Sequence, residues 1–221
     1  MFSLFRSRLL CAAEAAVGVE NTARLNLGEF TGRVGTATNP RMVAPVITSH
    51  VLNGNREISF TCISRIAAAK AIHASAIANS KNETKFGAFV RPEIAKEIVA
   101  DKGELGKGLT AFRVTVFPRE RPVNSDERSR FSRRTRVSAN VDQEELARNI
   151  HASYLRKTPL VLECMGDKAM GIITQAMALF NERVQVHDMV AYVRVVSGKS
   201  SEGTELIKME FQLMEVNKKA H

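Results

Sequence analysis

Arginine is concentrated in one short stretch of the chain. Five arginines lie within nine residues, with one Phe among them: Arg128, Arg130, Arg133, Arg134 and Arg136, with Phe131. A guanidinium group binds phosphate through paired hydrogen bonds and stacks on nucleobases, so this cluster is typical of contact with a nucleic-acid backbone. The alternative is a solvated linker whose charge only aids solubility. We favour nucleic-acid contact because the preceding part of the chain is also basic.

The positive charge is distributed unevenly. The 221 residues include 32 Lys and Arg and 23 Asp and Glu, which gives a net charge of +9. Residues 34–117 contribute +5 and residues 118–136 contribute +4, whereas residues 137–221 contribute −1. Any contact with a polyanion is therefore expected in the first half of the chain and in the arginine-rich stretch.

Other chemistry is poorly represented. Three Cys and five His are scattered without the spacing of a metal site, and no nucleophile–base set stands out. Gly198-Lys199-Ser200 lacks the earlier Gly of a phosphate-binding loop, because Val193 stands there. No stretch approaches 18 consecutive apolar residues. We therefore expect no enzyme activity, metal, cofactor or membrane contact.

The first residues have the composition of a mitochondrial presequence. Arg6 and Arg8 lie among bulky apolar residues, and no acidic residue precedes Glu14. An amphipathic, arginine-bearing and acid-poor segment is typical of import into mitochondria. The alternative is an N-terminal tail of the mature protein. Residues 1–33 are assigned to this presequence or tail.

The chain also contains an internal repeat. In each copy, apolar residues at helical spacing are followed by a short apolar segment with a Cys near its end. A segment rich in Ala or Met comes next, and two segments in which apolar and polar residues alternate complete the copy. The alignment pairs Val43 with Leu146, Ile47 with Ile150 and Cys62 with Cys164. Near the end of each copy it places Phe112-Arg113-Val114 on Ile207-Lys208-Met209.

Each copy is predicted to have the element order β-α-β-α-β-β. Short strands are expected to start at Val34 and Val137, and a helix is expected to follow Asn39-Pro40. In the first copy, further strands are predicted over residues 57–63, 86–100 and 109–117, and a second helix over 67–79. In the second copy, the corresponding strands are predicted over residues 160–165, 189–196 and 204–216, and the helix over 169–180. The predicted organisation is a first repeat over 34–118, an Arg-rich connector over 119–136 and a second repeat over 137–221.

These segments carry a family resemblance. Lys70-Ala-Ile-His-Ala-Ser-Ala-Ile-Ala-Asn in the first copy, with Leu162-Glu-Cys-Met-Gly and Ile173-Thr-Gln-Ala-Met-Ala in the second, resembles the stage V sporulation protein S family. That family is grouped with the Alba-like nucleic-acid-binding proteins, which share the β-α-β-α-β-β order. The resemblance covers residues 34–119 and 135–216. It implies an α/β fold of two tandem Alba-like units that form an intramolecular pseudo-dimer.

The resemblance also implies where nucleic acid would bind. Alba-like proteins use basic residues near the first helix and in the hairpin between the last two strands. In the first copy these positions hold Arg41, Arg65, Lys70, Lys96, Lys102, Lys107 and Arg113, and the second copy has Lys199 in its hairpin. The first helix of the second copy opens with Asp142, Glu144 and Glu145, which would repel phosphate. We expect the first copy to bind and the second to pair with it or to dock on proteins.

The sequence therefore predicts a non-enzymatic RNA-binding protein of the mitochondrial matrix. It would contact the phosphate backbone through the first repeat and the connector, with DNA left open as a ligand. The alternative is a structural subunit of a mitochondrial ribonucleoprotein complex, such as a ribosome or an RNA-processing or editing assembly. In that case the second repeat would bind protein partners, in a homo- or hetero-oligomer.

Overall fold

The α/β class predicted from the sequence is confirmed. The computed structural model describes residues 30–82, 85–96, 110–121, 133–199 and 205–218. Within these ranges, four helices pack on one face of an eight-stranded mixed sheet. The first half contains β1 (Phe30–Val34), α1 (Pro40–Ile47), β2 (Ile58–Cys62), α2 (Arg65–Ser80), β3 (Phe86–Ile94) and β4 (Phe112–Glu120). The second half contains β5 (Arg133–Val137), α3 (Gln143–Leu155), β6 (Leu160–Cys164), α4 (Gly166–Arg183), β7 (His187–Lys199) and β8 (Glu205–Asn217).

The two halves share one continuous sheet. The strand order is β1-β2-β4-β3-β7-β8-β6-β5, so each half supplies four neighbouring strands in mirrored order. The halves meet at β3 and β7, which run antiparallel with Phe89 opposite Tyr192 and Val90 opposite Ala191. The outermost pairs, β1 with β2 and β5 with β6, are parallel. The boundary between the halves is therefore a hydrogen-bonded strand pair.

The predicted starts of the first strand in each copy are wrong. Val34 and Val137 end strands β1 and β5, and both strands begin four residues earlier. A turn follows β1, in which the Thr38 hydroxyl accepts a hydrogen bond from the Gly35 amide at 2.9 Å. Strand β5 reads Arg-Arg-Thr-Arg-Val and has little apolar alternation, as is common for charged edge strands. Residues 133–136, assigned to the connector, thus belong to the sheet.

Hydrogen bonds to side chains mark the N-termini of α1 and α2, the two helices of the first half. The Asn39 side chain accepts a hydrogen bond from the Arg41 amide at 3.0 Å, and Pro40 occupies the first helical position, as predicted. Helix α1 continues into a π-helical segment, Thr48–Asn53. The Ser64 hydroxyl accepts from the Ala67 amide at 3.1 Å, so α2 starts two residues earlier than predicted.

Small residues allow the two central helices to approach closely. Helix α2 buries seven alanines, because it contacts the sheet, α1 and α4. Where α2 meets α4, a Cβ atom on Gly171 would lie 3.1 Å from the carbonyl oxygen of Arg65. Such a contact is tighter than van der Waals packing normally allows. The alanine-rich composition of α2 therefore serves helix packing.

Near their C-terminal ends, the two central helices α2 and α4 each carry a buried Asn that joins the two halves. Asn79 of α2 donates from Nδ2 to the carbonyl oxygens of Ala88 and Val193, both at 2.9 Å. Asn181 of α4 donates from Nδ2 to the carbonyl oxygens of Pro92 and Met189, both at 3.0 Å. The Oδ1 atoms of Asn79 and Asn181 accept from the Ala88 and Met189 amides, at 2.7 and 2.5 Å respectively. The two carboxamides thus fasten β3 to β7 on either side of their short ladder.

The strand register corrects one part of the repeat alignment. Cys62 pairs with Phe112, and Cys164 pairs with Met209, so Phe112 is structurally equivalent to Met209. The alignment that placed Phe112 on Ile207 is wrong by two residues. A two-residue slip keeps every side chain on the same face of a strand, and apolar alternation cannot detect it. In the correct register, Arg113 of the first half corresponds to Glu210 of the second.

Candidate nucleic-acid interface

The helix entries of the first half combine exposed arginines with N-termini that neutral side chains cap. Arg41 lies in the first turn of α1 and Arg65 in the first turn of α2, and both are exposed. Neither first turn contains an acidic residue. The first amide groups of a helix carry partial positive charge, so these positions favour an anion.

Two further side chains of α2 extend this site towards the second half. Lys70 Nζ lies 2.7 Å from Asp167 Oδ2, and His73 Nδ1 lies 4.0 Å from Asp167 Oδ1. Asp167 belongs to the first turn of α4. We call Arg41, Arg65, Lys70 and His73 the basic cluster. It contains four of the chain's basic groups and one carboxylate supplied by the other half.

The pKa of His73 reports the charges around it. Burial lowers that pKa below its ordinary value, Asp167 acts to raise it, and the charges of Lys70 and Arg41 lower it further. The imidazole is therefore mainly neutral near pH 7. Burial is the largest of these effects, and a bound anion would oppose it by favouring the protonated imidazole.

The corresponding helix entry of the second half is acidic. The Asp142 carboxylate accepts hydrogen bonds from the Glu144 and Glu145 amides at 2.7 and 2.9 Å. These bonds lower the pKa of Asp142. Glu144 and Glu145 add further negative charge to the first turn of α3. Carboxylates already compensate this N-terminus, so the charge asymmetry predicted from the sequence is present in the structure.

The arginines of β5 have two different environments. Arg133 and Arg136 are exposed on this edge strand. Arg134 Nη1 instead contacts Glu163 Oε1 at 2.6 Å and Glu210 Oε2 at 3.2 Å. The hydrogen bond that Arg134 donates to Glu163 is the main cause that raises the pKa of Arg134 above its ordinary value. Arg128 and Arg130 lie outside the described residues.

Arg134, whose side chain is 40% exposed, belongs to an ion network around a buried carboxylate. Glu210 is only 3% exposed, and its Oε1 lies 2.8 Å from Arg194 Nη2 and 2.9 Å from Gln212 Nε2. Glu163 lies opposite Glu210 in the strand register, so Arg134 lies between two carboxylates. Arg134 thereby attaches the edge strand β5 to β6 and β8. The sequence analysis missed this role, because nothing in the local pattern links residues 134, 163 and 210.

Two of the four hairpin residues predicted for the first half, Lys96 and Arg113, lie within the described part of the chain, and both are exposed. Lys96 forms an ion pair with Glu182 of α4, close to the base of the hairpin. Arg113 is exposed on β4. Lys102 and Lys107 lie outside the described residues. Lys199 ends strand β7, and its side chain is also outside the described part.

The other chemically reactive groups offer little. Burial raises the pKa of both Cys62 and Cys164 to about 12, so these thiols stay protonated at neutral pH. Among the described residues, no group of three or more His, Cys, Asp or Glu side chains is placed to hold a metal ion. No helix within the same ranges is long and apolar enough to cross a membrane.

No protein-family model matches the chain, and no curated protein matches its sequence at a significant level.

Proposed function

We propose that this protein binds RNA through phosphate contacts at the basic cluster and at the exposed arginines of β5. The observation that carries the proposal is that the charges of Arg41 and Lys70 act together at His73, with Arg41 in a first helical turn that contains no acidic residue. Arginine supplies paired hydrogen bonds to phosphate, and the helix amides add a favourable dipole. Arg133 and Arg136 provide further exposed guanidinium groups on an edge strand.

We also propose that the two halves are tandem Alba-like units forming a pseudo-dimer within one chain. The mirrored strand order and the equivalent roles of Asn79 and Asn181 support this arrangement. Among the described helices, those of the first half have first turns without an acidic residue and those of the second half do not, so the pseudo-dimer would bind through one side. A symmetric pair would present two such sites.

Binding through this surface would depend on charge more than on base sequence. The aromatic pair Phe89 and Tyr192 is buried, so its rings are not available as a platform for bases. Phosphate contacts position a nucleic acid without reading its sequence. We therefore propose weak sequence preference and a steep dependence on salt, with action on RNA in the mitochondrial matrix.

Replacing Arg41 and Arg65 together with Ala is expected to weaken RNA binding about tenfold or more near physiological salt. Two lost phosphate contacts should also reduce the slope of log affinity against log salt by about 1.5. Fluorescence anisotropy with single-stranded RNA and duplex DNA, repeated over a salt series, measures both quantities.

The matched control removes the same charge from the second half. Arg148 and Arg156 are exposed residues at α3, and their joint replacement by Ala should leave the salt slope nearly unchanged. Equal losses in the two double variants would show that net charge alone drives binding, and the basic cluster would then not be the site.

A role in protein docking is the second candidate. Leu155 and Val186 are each 65% exposed in the second half. They adjoin Tyr154 and His187, whose Oη and Nδ1 atoms are hydrogen-bonded at 2.8 Å. Exposed apolar side chains next to two residues that are hydrogen-bonded to each other support a contact with a protein partner. A protein that binds no RNA on its own and depends on protein partners would fit the alternative of a structural subunit of a ribonucleoprotein complex.

A further inference from the structure

His73 lies where charges from three helices meet. Arg41 projects from α1, Lys70 lies one turn earlier on α2, and Asp167 comes from α4. The Nδ1 atom of His73 is buried and has no hydrogen-bond partner, and Asp167 Oδ1 is 4.0 Å away. The side chain as a whole is 31% exposed. His73 therefore lies within the basic cluster, and its Nδ1 atom is left without a hydrogen bond.

The balance of charge at this position depends on what occupies the cluster. In the free protein, burial and two neighbouring cations oppose protonation of His73, and the single carboxylate of Asp167 already pairs with Lys70. A bound phosphate would add negative charge beside the same cations. Negative charge near an imidazole favours its protonated form.

We propose that His73 is a further phosphate-binding residue of the basic cluster, and that it takes up a proton when a polyanion binds. This inference rests on the proposed function. The proton adds one positive charge where the phosphate lies, and the Nδ1–H group gains a donor role towards Asp167. Proton uptake by the complex requires that affinity increase as pH falls.

Asp167 has a defined part in this coupling. Its carboxylate contacts Lys70 and faces His73, so it competes with phosphate for both side chains. Asp167→Asn is expected to strengthen RNA binding severalfold near pH 7, because Lys70 then lacks its internal anion. The same change removes the one carboxylate within the described ranges that acts to raise the pKa of His73 in the free protein.

The test is RNA binding by the full chain as a function of pH at constant ionic strength. An oligouridylate is the probe, because uracil does not titrate in the relevant range. The wild-type affinity should rise about five- to tenfold between about pH 7.5 and pH 5.5, since a rise of about one unit in the pKa of one group corresponds to tenfold. His73→Gln should flatten this dependence.

The control is His151→Gln, which removes an exposed His from α3 in the second half and should leave the pH dependence intact. Imidazole NMR of the wild-type protein gives a second readout, in which RNA should raise the pKa of His73. Binding with the same pH dependence in His73→Gln would overturn this inference and leave the proposed function standing. Absence of oligouridylate binding at every pH would overturn both.

Discussion

Asn79→Leu and Asn181→Leu are each expected to lower the free energy of unfolding by about 3 to 5 kcal/mol. Leu has the same branching at Cγ as Asn, although it is larger, and it neither donates nor accepts hydrogen bonds. Each change would leave three buried main-chain groups without their partner. Buried polar groups that lose their partners carry the full cost of desolvation.

The position of these groups makes the cost large. The β3–β7 ladder pairs Phe89 with Tyr192 and Val90 with Ala191. In the same register, Ala88 and Val193 lie immediately beyond one end, and Asn79 binds the carbonyl oxygens of both. The carboxamide therefore takes the place of a ladder hydrogen bond where the strands separate. Asn181 does the same beyond the other end.

Equilibrium denaturation with urea measures the effect. Asn149→Leu is the matched control, because Asn149 is exposed on α3 and its replacement should change stability by less than about 0.5 kcal/mol. A double variant of Asn79 and Asn181 should show a cost that differs from the sum, since both side chains hold the same strand pair. Losses below about 1 kcal/mol would mean that the strands join without the carboxamides.

Glu210→Gln is expected to lower the free energy of unfolding by about 1 to 3 kcal/mol, because Arg134 and Arg194, whose side chains are 40% and 28% exposed, would lose the buried anion that they share. Glu210 is 3% exposed and contacts both Arg134 and Arg194. The amide of Gln retains the shape of the side chain, so the measured loss would reflect charge. Since Arg134 attaches β5, amide hydrogen exchange should increase first along that edge strand.

Glu215→Gln supplies the comparison on the same strand. Glu215 pairs with Lys157 at 3.0 Å, but its side chain is 39% exposed and the Lys side chain is 64% exposed. Surface pairs of this kind contribute about 1 kcal/mol or less. Equal losses in the two variants would contradict a special role for the buried network. Unchanged exchange along β5 would show that Arg134 does not hold the edge strand.

The position of a residue could be predicted from the sequence where it depends on the residue's own element. Arg41 could be placed at a helix entry because Asn39-Pro40 is a start signal that the chain displays locally, whereas the start of α2 at Arg65 was predicted two residues too late. The contrast with Asp142, Glu144 and Glu145 was visible for the same reason. Arg134 was assigned to phosphate contact from composition alone, yet its contacts are with Glu163 and Glu210.

The sequence by itself determined the order of the elements, the Ala-rich central helix and the uneven charge. These properties follow from periodicity, caps and composition, which act over a few residues. Tertiary structure alone decided that β3 would pair with β7, that Asn79 would bind Val193, and that Asp167 would enter the basic cluster. Those partners are about a hundred residues apart. Periodicity specifies which face a side chain occupies, but the neighbour across that face is specified only when the chain packs.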